Sequence, residues 1–179
     1  MLFESLKRIC PACIIAVLGE EKSKEKGKCG IEFRKADSRD ITVLIELRKQ
    51  QLADEGLPAA AQPIDGALRD YFARSLADGS FISWVALESD RIIATSGICF
   101  YQLPPNYSNP SGRVAYVTNM FTAKPHRRKG IATILLEKTI NEARLRGYAV
   151  VRLHASSDGE GLYTKFGFAP SEGYMALRL

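Results

Sequence analysis

The spacing of apolar and polar positions changes period several times along the chain, and each change marks an element. Residues 31–36, Ile-Glu-Phe-Arg-Lys-Ala, alternate apolar and charged positions as a half-buried strand does. From Asp37 the period becomes helical. Ile41, Leu44, Ile45, Leu47 and Leu52 form the apolar set, Asp37 or Ser38 supplies the cap, and Gly56 ends the run. Residues 57–63 read as a loop, and residues 64–80 as a second helix with Leu68, Tyr71, Phe72 and Leu76 on one side. Residues 81–103 read as two strands around the turn Glu88-Ser-Asp-Arg91. Residues 104–113 hold three of the eight prolines and must be a loop. Residues 114–123 are another strand. Residues 130–147 form the longest helix, with Ala132, Leu136, Ile140 and Ala143 on one stripe, Arg144 and Arg146 in the last turn and Gly147 as the stop. A strand over 148–155, a short helix over 159–167 and a last strand over 173–179 complete the order β-α-α-β-β-β-α-β-α-β, an α/β (α+β) chain.

The first thirty residues stand outside this scheme. They hold a short apolar stretch and then the charge-mixed run Glu-Glu-Lys-Ser-Lys-Glu-Lys-Gly-Lys. Lys7 and Arg8 ahead of the apolar stretch suggest a signal peptide, but Glu4 lies beside them, Pro11 interrupts the stretch and no small-x-small cleavage site follows. Cys10 and Cys13 could form a redox or metal pair with Cys29 as a third ligand, yet no fourth ligand is near. The remaining reading, an N-terminal extension and linker over 1–30 ahead of one domain over 31–179, is the one adopted. The length of 179 residues suits one domain rather than two.

Charge narrows the partners. The net +5 is mild and suits a phosphate-bearing ligand as well as nucleic acid. It forms no broad basic stripe with interleaved aromatics, so a nucleic-acid partner is not expected. No apolar run reaches the roughly 18–20 residues that cross a bilayer, so no membrane partner is expected either. The four cysteines make no disulfide framework, which points to a reducing cytoplasm. No metal set is expected.

One short stretch, Lys124-Pro-His-Arg-Arg-Lys-Gly-Ile-Ala-Thr133, carries candidate chemistry. It joins the strand over 114–123 to the longest helix. A helix start exposes four unpaired N–H groups and the positive end of the dipole, which together attract an anion. Gly130 lets a phosphate approach the backbone, Ala132 keeps the way clear, and Lys124, Arg127, Arg128 and Lys129 add charge. The stretch is neither G-x-x-x-x-G-K-[ST] nor G-x-G-x-x-G. The bland alternative is a helix start with a solvated basic face.

The pattern R-x-x-G-x-A at Arg127, Gly130 and Ala132, followed about thirty residues on by Leu162-Tyr-Thr-Lys-Phe-Gly-Phe168, resembles the GNAT superfamily of N-acetyltransferases over residues 31–179. The resemblance implies a mixed, mostly antiparallel central sheet with helices on both faces and a splayed parallel strand pair at its centre. It implies acetyl-CoA as cosubstrate. The backbone N–H groups of Arg128, Lys129, Gly130, Ile131, Ala132 and Thr133 would hold the pyrophosphate, with charge from Arg127. Met120, Phe121 and Thr122 would pair with the pantetheine arm along a bulged strand, splayed from the strand at 150–155. The N–H of Met120 or Phe121 would polarise the thioester carbonyl. Tyr163 would be the general acid for the leaving thiolate. Where many relatives carry Asn and Ala this chain has Ser156 to Gly161, and Ser156, Ser157 or Asp158 would contact the pantetheine instead.

The activity so implied is acetyl transfer to a primary amine of a small molecule or peptide, by direct attack in a ternary complex. The base is open between Glu46 on the first helix and His154 near the end of the splayed strand. Asn119 either orients substrate or water, or is an ordinary strand residue. His126 would face phosphate or solvent, and Phe166 and Phe168 would be core. The acceptor pocket is expected among the first two helices, the loop over 100–113 and the last strand, with Trp84, Tyr101 and Tyr107. The acids Glu55, Asp65 and Asp70 are scattered, which argues against a polycationic acceptor. Two rival classes are a non-catalytic acetyl-CoA-binding sensor and a nucleic-acid domain using the basic stretch. Exposed strand edges leave room for a homodimer.

Overall fold

A computed structural model describes residues 30–57 and 63–170. The expected extension with its Cys10/Cys13 pair and the expected strand over 173–179 lie outside these residues. The described elements are β1 (Ile31–Lys35), a 3-10 turn (Ser38–Asp40), α1 (Ile41–Asp54), α2 (Asp65–Asp78), β2 (Phe81–Glu88), β3 (Arg91–Gln102), β4 (Arg113–Thr122), a 3-10 turn (Lys124–His126), α3 (Ile131–Leu145), β5 (Val151–Leu153) and α4 (Glu160–Lys165). Among the described residues no helix is long and apolar enough to cross a membrane.

The sheet runs β1-β2-β3-β4-β5, antiparallel throughout except for the parallel pair β4–β5. Helices cover both faces, which is why β2 is apolar nearly end to end rather than alternating with polar residues. On one face Phe81, Val85 and Leu87 pack with Ile41, Leu44 and Ile45 of α1 and Phe72 of α2. On the other, Ile82, Ile98, Ala115 and Val117 pack with Leu136, Ile140 and Ala143 of α3. The buried side of α3 is wider than its expected stripe, because Ile131, Ile134, Leu135 and Thr139 are buried too. Thr139 Oγ1 lies 2.8 Å from Ser96 Oγ, so the polar pair in this interface is satisfied.

The chain enters α1 through a capping box. Arg39 N donates to Asp37 Oδ1 and Asp37 N donates to Asp40 Oδ2, both at 2.9 Å. Arg34 grips Asp40 at 2.6 and 2.9 Å, and this bond holds the Asp40 carboxyl below the usual carboxylate range. The entry angle of α1, and so the face it turns to β4, is fixed here.

Two departures from the expected pattern shape the site. The strand predicted over 148–155 is only Val151–Leu153: it pairs with Ala115, Tyr116 and Val117 of β4, and pairing then stops although β4 runs on to Thr122. Beyond that point β4 also loses register with β3. Thr118 faces Gly97 and Phe121 faces Thr95, so two residues of β4, Asn119 and Met120, oppose Ser96 alone. This is a β-bulge. Asn119 makes it with φ 52°, a left-handed conformation that asparagine tolerates better than most residues. Gly97 is required opposite: a Cβ there would lie 2.5 Å from the Phe81 ring and 3.2 Å from the Thr118 carbonyl oxygen.

Candidate active site

The end of β4 leads into the basic stretch. After the turn Lys124–His126, Arg128 takes φ 62° and Gly130 φ 81°, and α3 begins at Ile131. No side chain caps α3 and no acid stands in its first turn. Its N-terminal N–H groups are therefore offered to whatever lies beyond the helix. Four non-glycine residues among those described have positive φ: Ser89 and Asp90 are the hairpin turn, and Asn119 and Arg128 bracket the end of β4 and this loop. A left-handed residue costs about 1 kcal/mol or more, and such residues gather at ligand sites.

The basic side chains of the loop divide into two groups. Arg127 is structural: its Nε donates to the Thr122 carbonyl at 2.9 Å and its Nη2 pairs with Asp54 at the end of α1. Lys124 Nζ stands 3.4 Å from the same carboxylate. The bond from Arg127 holds the Asp54 carboxyl below its usual range. Arg128 and Lys129 are exposed and project from the loop's outer side. His126 does not face outward; its ring is largely covered, with Nδ1 3.8 Å from Glu88 Oε2.

A cavity of about 180 Å3 opens where β4 and β5 part. Its lining comes from four places: Arg48 and Gln51 of α1 with Glu55 at its C-cap, Tyr116 to Thr118 and Met120 of β4, His154 after β5, and Ser156 with Tyr163 at α4. The backbone of β4 past Val117 has no β5 partner among the described residues, so its ladder groups on that side are left to the cavity.

Tyr163 is 8% exposed and packs in the core beneath the cavity, its ring edge-on to Phe168 at 6.0 Å. Burial first, and then the charge of Glu55 and the neighbouring Tyr116, push its phenol up to about 12. Gly159 lets α4 settle on that ring, since a Cβ there would lie 2.7 Å from Tyr163 Cε2. Of the two closely spaced glycines Gly159 alone serves a close contact, with ordinary right-handed backbone; a Cβ on Gly161 would meet nothing within 4 Å.

The other expected residues sort themselves by position. His154 lies at the cavity and is exposed; Glu46 does not reach it and is held by Lys49 at 3.1 Å on the far side of α1. Met120 and Ser156 line the cavity, whereas Ser157 is exposed outside it. Phe121 is buried, and Thr122 is tied to Arg127. Ile131 is buried in the core, with Ala132 and Thr133 half-buried at the helix start. Asn119 is buried at the bulge without lining the cavity. Trp84 packs on the face that α3 covers, its Nε1 donating to Glu142 at 3.2 Å, and Tyr107 is a fully exposed loop tip; neither lines the cavity. The residues that sequence reasoning missed are Arg48, Gln51 and Tyr116, and Glu55 as a member of the site. Their signal was present: positions 48, 51 and 55 continue, at helical spacing, the stripe of Ile41, Leu44 and Ile45 with polar residues.

The described residues fit acetyl-CoA. An unpaired strand edge suits an extended amide chain, and an uncapped helix start beside left-handed Arg128 and Gly130 suits a pyrophosphate. Residues 45–168 match the model of the acetyltransferase (GNAT) family. The chain is similar, with 40% identity and a TM-score of 0.79, to a predicted acetyltransferase from Clostridium acetobutylicum solved with acetyl-CoA, over 83% of this chain and 96% of that one. It is similar to a GCN5-related N-acetyltransferase from Ralstonia eutropha at 29% identity and TM-score 0.77, over 83% and 99% of the two chains. An aminoglycoside acetyltransferase from an uncultured soil sample, at 21% identity and TM-score 0.63 over 83% and 98%, shares the fold. No curated protein matches the chain at comparable significance. The family match covers more than half of the chain, and it falls on the elements that carry the bulge, the loop and the tyrosine: the chain belongs to the GNAT family, an N-acetyltransferase with acetyl-CoA as its cosubstrate.

Proposed function

We propose that this chain moves the acetyl group of acetyl-CoA to a primary amine of a small molecule or peptide, by direct attack with both substrates held at the cavity. The observation that carries this is the convergence, at the parting of β4 and β5, of an unpaired strand edge, the Tyr163 phenol and the His154 ring. Residues 31–179 are the catalytic domain and residues 1–30 an extension to it. The cysteine usage supports a cytoplasmic setting.

The thioester supplies an activated acetyl carbon. The β4 backbone holds the pantetheine arm past the bulge, Ser156 contacts it from the other side, and the loop N–H groups from Arg128 to Thr133 hold the pyrophosphate. The N–H of Met120 or Phe121 donates to the carbonyl oxygen as charge develops there. His154 takes the proton that the amine loses as its nitrogen bonds to carbon. As the carbon–sulfur bond breaks, Tyr163 gives its hydroxyl proton to the sulfur. The raised phenol is fully protonated at neutral pH, so it has a proton to give. The products are an amide and free thiol, and proton return from His154 to Tyr163 through water resets the site. Asn119 acts through the backbone, setting the bulge that aims the β4 donors.

A panel of primary amines assayed for thiol release tests the reading. At least one amine is expected to turn over, and Tyr163→Phe to lower kcat by roughly 100-fold or more while acetyl-CoA affinity holds. Acetyl-CoA binding without transfer to any amine favours the alternative, a non-catalytic acetyl-CoA sensor.

A further inference from the structure

The cavity contains an arginine that nothing so far employs. Arg48 is half-buried and lines the cavity. Its Nη1 donates to Gln51 Oε1 at 3.1 Å. No carboxylate among the described residues lies within ion-pair distance of it. The next residue makes the contrast: Lys49, on the other side of the helix, is bound by Glu46 at 3.1 Å and by Asp65 at 2.9 Å. A guanidinium partly withdrawn from water without a counter-charge is unfavourable until an anion arrives.

The arginine is also held in place. Gln51 is 8% exposed and uses both ends of its amide: the oxygen accepts from Arg48, and Nε2 donates to Glu55 Oε1 at 2.9 Å. Residues 48, 51 and 55 therefore form one side-chain ladder along α1, positive at one end and negative at the other. Both ends line the cavity that holds Tyr163 and His154. A buried, fully used amide between two charges fixes their spacing before any ligand binds.

We infer that the acceptor is a small amine that also bears a carboxylate, with Arg48 receiving the carboxylate and Glu55 holding the ammonium until His154 takes its proton. This rests on the transferase reading above and names its substrate class. Arginine suits the task because its planar fork matches a carboxylate through two parallel N–H groups, and the bond to Gln51 uses one of its five donors and leaves four. A single amide, bonded to both, separates the two charged groups, so amine and acid must be joined by a short chain. A bare alkylamine would leave Arg48 unpaired, and a polyamine would set a cation against it.

The test compares paired acceptors: amino acids, and the amines left when their carboxylate is removed. Wild-type enzyme is expected to favour the acid-bearing member in kcat/KM by about tenfold or more, the scale of one charge-assisted bidentate pair. Arg48→Gln is expected to bring that ratio close to one, mainly through KM, and Arg48→Lys to restore part of it. A wild-type ratio at or below one overturns the inference, and so does a ratio that Arg48→Gln leaves unchanged. If no amine turns over, the transferase reading fails by itself. The same pairs titrated calorimetrically into the CoA complex then decide the matter: binding of the acid-bearing member that Arg48→Gln abolishes supports the inference, and no such binding rejects it.

Discussion

The loop from Lys124 to Thr133 and the cavity between β4 and β5 lie side by side and are built in opposite ways. The loop is local and made of backbone. Its shape comes from the positive φ of Arg128 and Gly130 and from an uncapped helix, all within ten residues of sequence. The cavity is made of side chains from α1, β4, the end of β5 and α4, more than a hundred residues apart from Arg48 to Tyr163. A site made of backbone tolerates changes of side chain and fails when the backbone changes. A site made of side chains fails one function at a time.

The largest effect should come from the backbone site. In Gly130→Glu a side chain must adopt φ 81° and place a negative charge at the helix start. Acetyl-CoA binding is expected to fall below detection in calorimetry, with the far-ultraviolet dichroism unchanged. Next is Tyr163→Phe, which removes one proton donor from the side-chain site and should depress kcat with little change in acetyl-CoA affinity. That split, set against the binding loss of Gly130→Glu, is the comparison in kinetic form.

A smaller effect lies inside the cavity. The Glu55 charge helps hold the Tyr163 phenol near 12, though burial does most of it. Glu55→Gln should therefore lower the Tyr163 titration seen by ultraviolet difference spectra, yet leave it above the ordinary value of 10.0. The sign for stability follows. A phenol whose folded value is raised keeps its contribution below pH 10 and loses it as pH climbs toward 12, a loss of about 2–3 kcal/mol in the wild-type protein. Denaturant midpoints measured across that range should fall less steeply in the variant.

The smallest effect belongs to the strut joining the two regions. Asp54 on α1 holds Arg127 and Lys124 of the loop. Asp54→Ala should raise the KM for acetyl-CoA by up to about tenfold and leave kcat nearly unchanged, since exposed pairs contribute little. A large fall in kcat would mean that the strut also sets the cavity.

The same contrast explains what could be read in the sequence. Element order and the loop were legible because periodicity, capping chemistry and short spacings are local signals, and Tyr163 was legible through the family motif that Leu162 to Phe168 resembles. The length of β5 was not: residues 148–155 carry a strand-like pattern, but only Val151–Leu153 pair before β5 leaves β4, and that parting is a property of the assembled sheet. Glu46 lies on α1 and Glu55 at its C-cap; Glu55 follows the stripe of Leu44 and Ile45 toward the cavity and Glu46 does not, but that a cavity lies there was visible only in the fold. Arg127 looked like a phosphate ligand by its charge, and its partner Asp54 was visible only once α1 was placed. Trp84 looked like a pocket aromatic, and its place against Glu142 and Lys138 of α3, away from the cavity lining, was visible only in the fold.

The central claim is that the loop and the parting strands together form an acetyl-CoA site. Calorimetric titration of acetyl-CoA into wild-type protein and into Gly130→Glu tests it most directly. The account predicts one site per chain in the wild-type protein and none in the variant. A folded wild-type protein that binds no acetyl-CoA, or a variant that binds it equally well, would contradict it.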